Sequence, residues 1–312
     1  MPSLPARPSV VTPGNHDGVH LGHRALVDAA KARAARDGLV TTAMFFDPHP
    51  TSLLAPERAP TLLTSPTRRV EILKGAGADE VFVMPFDEEF ASLTPRAFAE
   101  KVLVETCGAR CVVVGPDFHF GTKRSGNVQT LRALGEELGY DVIVVPPALF
   151  EGEPSSSTRI RKCLREGDVV AAAGMLTRVH EVTGKVVHGD HRGRTIGFPT
   201  ANLAWEDVQL PADGVYAVVA RRLDRPERAE LLHGVANLGV RPTMAAGRSF
   251  EVHLFDFDGD LYGATLRVGL VERIRGERRF PGLEELKARI ALDCDAARTA
   301  VGNVRKEWLA WL

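Results

Sequence analysis

The hydrophobic pattern changes character once along the chain. In the first half, short apolar or β-branched runs alternate with stretches of helical period. Strands are predicted over residues 10–12, 40–46, 80–84, 111–114 and 141–145, and helices over 24–36, 66–74, 95–106 and 129–138. The run 40–46 is apolar almost throughout, as a parallel strand covered on both faces requires. Strand–helix–strand alternation of this kind predicts a doubly wound parallel sheet, whose ligands sit beyond the carboxyl ends of the strands. Three segments follow strand ends and carry polar residues with glycine or proline: 14–23, 47–50 and 115–121.

Helices over 155–166, ended by Gly167, and over 169–176 come next. From Val179 the texture is different. Short strands over 182–187, 215–221, 232–238, 250–257 and 266–274 are separated by glycine turns, with no helical pattern between them. They predict a small antiparallel β-barrel or sandwich. An amphipathic helix over 283–311 closes the chain, with Leu283, Leu286, Ile290 and Leu309 among its apolar positions. The expected fold class is therefore α/β plus all-β, with domains over 1–180 and 181–312 and the boundary near 178–183.

Composition leaves this picture intact and narrows the function. A length of 312 residues suits two cores better than one. A net charge of −1 gives no reason to expect nucleic acid or an anionic membrane as partner. No apolar run reaches the ~18 residues that span a bilayer, and the first residues lack the apolar core of a signal peptide. Cys107, Cys111, Cys163 and Cys294 form no C-x-x-C pair and no zinc-like spacing. Reduced thiols in a cytoplasmic protein are expected. Small molecules are the expected partners, and the oligomeric state stays open.

The candidate chemistry starts where the first strand turns into the first helix. His20 and His23 lie there, inside Gly14-Asn15-His16-Asp17-Gly18-Val19-His20-Leu21-Gly22-His23. A helix N-terminus offers unpaired N–H groups and the positive end of the helix dipole, which favour phosphate. The segment has neither a Walker A lysine nor a G-x-G-x-x-G turn. Two imidazoles at this place can hold a triphosphate while pyrophosphate leaves, since phosphoryl-type transfer needs mostly positioning and charge stabilisation. Ser157 and Thr158 read first as helix caps. Arg159 and Arg161 in the same first turn oppose the dipole, which points to a bound anion.

In the second half, Thr200 and Asn202 are two apart, so an extended chain sends both to one side. A hydroxyl and an amide are hard oxygen donors for a magnesium ion that bridges phosphates. Gly189, Gly193 and Gly197 allow the backbone close to phosphate, and Arg192 and Arg194 can screen charge. Glu251 alternates with Phe250 and Val252 and so faces away from them.

Taken together, residues 14–23, 46–50, 115–121 and 156–161 resemble, in order and spacing, the FMN adenylyltransferase module of prokaryotic bifunctional riboflavin kinase/FAD synthetases. The stretches Gly193-Arg194-Thr195-Ile196-Gly197-Phe198-Pro199-Thr200-Ala201-Asn202, 211–216, 236–243 and 251–263 resemble the riboflavin kinase module of that family. The resemblance implies an N-terminal nucleotidyltransferase domain and a C-terminal kinase barrel. It implies that His20 and His23 bind phosphate within a loop shared by Gly14, Asn15, Asp17 and Gly22. Ser157, Thr158 and Arg161 would belong to the nucleotide phosphate segment. Asp117 would help hold flavin or nucleotide. Thr200 and Asn202 would be ligands of Mg²⁺ and ATP phosphate, alongside Gly189, Gly193 and Arg194. Glu251 would be the base acting on the riboflavin 5′-hydroxyl. The chain departs from the family at His16, where phenylalanine is usual, and at Pro13. The implied function makes FMN from riboflavin and ATP, then FAD and pyrophosphate from FMN and ATP. Two other readings stay open: a kinase with an impaired adenylyltransferase half, and a non-catalytic flavin-sensing regulator on the same scaffold.

Overall fold

The computed structural model describes residues 7–189, 193, 196–225, 230–240 and 247–312. The chain divides into two compact units, Met1–Ser157 and Thr158–Leu312.

The first unit is built on five parallel strands: β1 (Ser9–Pro13), β2 (Val40–Asp47), β3 (Glu80–Pro85), β4 (Ala109–Val114) and β5 (Asp141–Val144). Their order is β3-β2-β1-β4-β5. The chain winds from β1 to one side and later returns to the other, so the switch point lies between β1 and β4. Around the sheet lie α1 (Leu21–Asp37), α2 (Pro50–Leu54), α3 (Pro66–Ala76), α4 (Glu88–Ala91), α5 (Pro95–Ala97) and α6 (Val128–Leu138). Alternate residues feed two cores. Val11, Met44, Val112 and Val114 pack with Phe98, Val102, Leu103 and Leu131 on one face. Val10, Cys111 and Val113 pack with Ala30 and Ala34 on the other. Each fully buried valine or leucine contributes roughly 1.5–3 kcal/mol to this arrangement.

Two helices differ from the sequence expectation. The first begins at Leu21 rather than residue 24, because His20 caps it. The helix expected over 95–106 becomes π-helical from Phe98 to Thr106, a hydrogen-bond shift that apolar spacing does not encode. The hairpin β6 (Leu149–Phe150) and β7 (Glu153–Pro154) is too short to leave a period in the sequence.

The helix α7 (Ser157–Glu166) crosses the unit boundary, and α8 (Val169–Leu176) follows it. Six antiparallel strands then close a barrel in the order β10-β11-β12-β9-β8-β13. They are β8 (His180–Val187), β9 (Ala201–Trp205), β10 (Gly214–Arg222), β11 (Leu232–Val240), β12 (Arg248–Leu254) and β13 (Thr265–Arg275). Phe250, Val252, Leu266 and Val268 fill the interior. Val215, Ala217, Val219 and Val271 face outward and are covered by Ala297, Ala300 and Val301 of α9 (Leu283–Asn303). Asp293 on α9 is buried between two arginines, 2.8 Å from Arg275 and 3.0 Å from Arg289.

Sequence spacing showed five strands and missed β9, which has only five residues and directly follows a Gly/Pro-rich string. The closing helix is also interrupted. After Asn303 the backbone turns extended at Val304 before α10 (Lys306–Leu309). Gly302 and Asn303 are weak helix formers and mark the break.

Candidate functional site

In the first unit the turn between β1 and α1 is held in an uncommon conformation. His16, Gly18 and Val19 have φ of 48°, 82° and 41°. Histidine tolerates the left-handed region better than most side chains. His16 also secures the turn itself: its Nε2–H donates to the Thr12 carbonyl at 2.9 Å. His20 is the N-cap of α1, and its Nδ1 accepts from the Gly22 N–H at 3.1 Å. That bond leaves the proton of the neutral ring on Nε2.

Three imidazoles meet here. His20 stacks on His23 at 3.8 Å between centroids, and His16 meets His23 edge-on at 5.0 Å and 71°. Burial pulls the His16 pKa down to about 4, and the charge of Arg69 works in the same direction. His23 is held well below the ordinary range, first by burial and then by its neighbours His20, His16 and Arg69. His23 keeps part of its surface exposed while its Nδ1 is shut off from solvent without a partner. His16 and His23 are thus neutral at pH 7, and His23 offers hydrogen bonding rather than charge.

A depressed histidine pKa makes stability fall with acid. The unfolded chain takes up a proton below its ordinary pKa of 6.5, whereas folded His16 resists until about pH 4. Stability is therefore complete above pH 6.5 and declines from there toward pH 4. Between pH 7 and 5 the first unit should lose about 2 kcal/mol more in the wild type than in His16→Phe. Urea unfolding at both pH values, followed by methyl NMR signals of the first unit, checks this. Equal losses in the two proteins would refute it.

The other residues of this loop divide by role. Gly14 lies within 3.4 Å of the His16 ring at its Cβ position, and its N–H donates to the Met44 carbonyl at 3.0 Å. Asn15 is exposed, and its side-chain amide lies 3.0 Å from His49 Nε2 at the end of β2. Segments 14–23 and 47–50 are therefore brought together at the carboxyl ends of adjacent strands. Asp17 differs from its expected place among phosphate-binding groups. Its carboxylate is 2% exposed and accepts from the Leu63 N–H, the Thr64 N–H and hydroxyl, and Arg69 Nη2 at 2.9 Å. It anchors the turn to the segment before α3. Arg69 completes this anchor by donating to the Asn15 carbonyl at 3.0 Å.

A Cβ at Gly22 would lie 3.0 Å from the His20 ring and 3.6 Å from the Ser155 carbonyl. Ser157 Oγ donates to the Asp17 carbonyl at 2.9 Å, which brings the serine segment onto the same loop. Thr158 and Arg161 belong to the second unit; Thr158 is exposed and Arg161 is buried. Asp117, after β4, is exposed, and its carbonyl receives the His119 Nδ1–H at 2.8 Å.

In the second unit, β12 lies between β9 and β11. Glu251 pairs with Asn202 on one side and Asn237 on the other. Directly opposed residues share a face of the sheet. Phe250 and Val252 point into the barrel, so Glu251, Asn202 and Asn237 lie outside it. Asn202 is nevertheless 7% exposed. The loop after β8 covers it: a Cβ at Gly189 would lie 2.1 Å from Asn202 Nδ2. A Cβ at Gly193 would lie 2.3 Å from the Phe198 carbonyl and 3.1 Å from Thr200 Oγ1. Arg192 and Arg194 lie outside the described residues. The hydroxyl of Thr200 and the amide oxygen of Asn202 are hard donors that fit a small divalent cation. Thr200 and Pro199 also line a shallow cleft with Val252, Leu254, Asp260 and Tyr262.

Gly189→Ala forces its methyl group into the Asn202 amide. Riboflavin phosphorylation should fall at least about tenfold, as expected when positioning groups are displaced by an ångström. FMN-to-FAD conversion should be unaffected. Full phosphorylation by Gly189→Ala would show that this contact is not needed.

Sequence spacing alone did not single out Arg69, Asn237 or the contact partner His49. Arg69 and Asn237 become neighbours of the sites only through strand pairing and loop closure. His49 was visible as part of segment 47–50, without a role.

Residues 4–159 match the FAD synthetase family, and residues 176–301 match the riboflavin kinase family. The bifunctional riboflavin kinase/FMN adenylyltransferase of Escherichia coli K12 is 40% identical over 300 residues, 96% of this chain and 94% of that protein. The protein of the same description from Bacillus subtilis 168 is 36% identical over 305 residues, 96% of this chain and 94% of its own. A crystal structure described as a macrolide-efflux protein from Streptococcus pneumoniae superposes with a TM-score of 0.85 at 33% identity, covering 95% of each chain. Among the described residues no helix is long and apolar enough to cross a membrane.

Proposed function

The chain belongs to the bifunctional riboflavin kinase/FMN adenylyltransferase family, and from that membership we propose a division of labour between residues 1–180 and 181–312. The barrel phosphorylates riboflavin with ATP to give FMN. The parallel-sheet domain adenylylates FMN with ATP to give FAD and pyrophosphate. The two family matches, 4–159 and 176–301, fall almost wholly on either side of this division.

In the barrel, Glu251 takes the proton from the riboflavin 5′-hydroxyl as that hydroxyl's oxygen attacks the γ-phosphorus of ATP, the bond from the γ-phosphorus to the β–γ bridging oxygen breaks and ADP departs. Thr200 and Asn202 would hold Mg²⁺, which neutralises phosphate charge when bound. Gly189 and Gly193 keep the backbone close against these two side chains. The observation that carries this half of the reading is the register pairing of Glu251 with Asn202. It puts the Glu251 carboxylate beside the Asn202 amide on one outer face, which supports these roles.

In the first unit, a phosphate oxygen of FMN attacks the α-phosphorus of ATP, the bond to the β-phosphate oxygen breaks and pyrophosphate departs. His20 and His23 donate hydrogen bonds to the phosphates at the N-terminus of α1, His23 from a neutral ring. Asn15 and Gly22 shape the loop around them, and Asp17 acts from behind it. Asp117, exposed beyond β4, would meet flavin or nucleotide, and Ser157, Thr158 and Arg161 the nucleotide phosphates. Four free cysteines fit a cytoplasmic setting.

Purified protein supplied with riboflavin, ATP and Mg²⁺ should yield FMN and then FAD. FMN without FAD would leave only the kinase half standing, and neither product would favour a non-catalytic flavin-binding role.

A further inference from the structure

Thr200 stands just outside the strand that should hold it. The ladder between β12 and β9 pairs Glu251 with Asn202 and Val252 with Ala201, and it stops there. One step further the antiparallel register would bring His253 opposite Thr200 and then Leu254 opposite Pro199. Pro199 has no N–H to continue a ladder. A side chain takes over. The Nδ1–H of His253 donates to the Pro199 carbonyl at 2.7 Å. The His253 ring is also braced edge-on by Phe198 at 5.6 Å and Phe255 at 5.9 Å. The Phe198 N–H in turn donates to the Gly193 carbonyl at 2.9 Å.

We infer that His253 is a positioning residue for riboflavin phosphorylation, tying the Pro199–Thr200 peptide to the strand that carries Glu251. This inference rests on the kinase reading of the barrel. Glu251 and His253 are two apart and share one face of β12. One strand therefore supplies the base and, through a hydrogen bond, sets the place of the threonine hydroxyl relative to it. Pro199 and Thr200 also form part of the cleft wall, so the same bond holds that part of the wall in place. His253 acts through the backbone and does not itself touch the reacting atoms.

The test uses the chemical difference between two amides. Asparagine places its side-chain N–H where Nδ1 of histidine lies; glutamine places it nearer Nε2. The full-length proteins His253→Ala, His253→Asn and His253→Gln are assayed for FMN formation with ATP and Mg²⁺ varied, beside wild type. Loss of one neutral hydrogen bond corresponds to about 2- to 10-fold. His253→Ala and His253→Gln should raise KM for ATP and the Mg²⁺ concentration for half-maximal rate by that factor, with a smaller change in kcat. His253→Asn should return both to within about twofold of wild type, since it restores the donor. FMN-to-FAD conversion should stay at the wild-type rate in all three, which reports an intact first unit, and far-UV and near-UV circular dichroism matching wild type reports a folded barrel. Two results overturn the inference: His253→Asn as impaired as His253→Ala, or a fall in kcat alone with unchanged KM and Mg²⁺ dependence. If His253→Ala does not fold, the contrast between the asparagine and glutamine proteins decides. A wild type that makes no FMN removes the kinase reading and this inference with it. An active wild type matched by His253→Ala removes the inference alone.

Discussion

A Glu251→Gln protein is expected to lose FMN formation by about 10²- to 10⁴-fold while converting supplied FMN to FAD at the wild-type rate. The size follows from the contribution of a positioned general base to proton transfer. Glutamine keeps the shape of glutamate and can still hydrogen-bond, so the strand β12 and its pairing with Asn202 and Asn237 should persist. What it cannot do is accept the hydroxyl proton. The riboflavin oxygen would then have to attack as a neutral alcohol without a base. Chromatographic separation of FMN and FAD reads both reactions from one sample, started with riboflavin in one tube and FMN in another. FMN formation within about tenfold of wild type would remove Glu251 as the base, because a base contributes at least 10²-fold. Loss of FAD formation from supplied FMN would refute the division between the two halves.

The second large effect is the converse. His23→Ala is expected to slow FAD formation by about 10²- to 10³-fold, the usual loss on removing one preorganised donor to a transition-state oxyanion, and to leave FMN formation intact. His23 is a partly exposed ring stacked on His20 and met edge-on by His16. Its burial keeps it uncharged near neutrality, and so its donation does not depend on protonation in that range. The wild-type rate of FAD formation should accordingly change little between pH 7 and 8.5. A steep rise toward lower pH in the wild type would contradict the neutral-donor role. FAD formation by His23→Ala at the wild-type rate would move the phosphate contact to another group in the loop. His20→Ala is the less clean variant, since the same ring also caps α1 through the Gly22 N–H. Loss of a cap lowers helix stability by about 0.5–2 kcal/mol and would mix folding with catalysis.

These two residues also show the limit of what spacing can reveal. The positions of His20 and His23 at a strand-to-helix turn follow from local pattern alone. A β-branched run ends, glycines break it, and a helical period begins. The structure agrees: β1 ends at Pro13 and α1 begins at Leu21. Asp17 lies in the same turn and looks no different in the sequence. Only the return of residues 63–69 past the turn commits its carboxylate to two peptide N–H groups, a hydroxyl and Arg69. A one-dimensional pattern contains no information about which way that side chain faces.

The barrel makes the same point from the other side. Alternation along the strands predicted an antiparallel all-β unit, and the string at 193–202 stood out by its glycines, proline and hard oxygen donors. Yet β9 went unrecognised, and Glu251 by itself looks like any glutamate on a strand. Its link to Asn202 exists only through the register of β12 against β9, residues 49 apart in the chain. His253 has meaning only because Pro199 cannot extend that ladder.

The sequence by itself determined the two-part architecture, the parallel and antiparallel characters of the parts, and the strand-to-helix turn that carries His20 and His23. Periodicity and turn chemistry are local, and they suffice for that. The tertiary structure alone decided which polar side chains face a site and which are spent on holding it. Those outcomes depend on strand register, on buried partners supplied from distant segments, and on the loss of solvent that leaves His16 and His23 neutral.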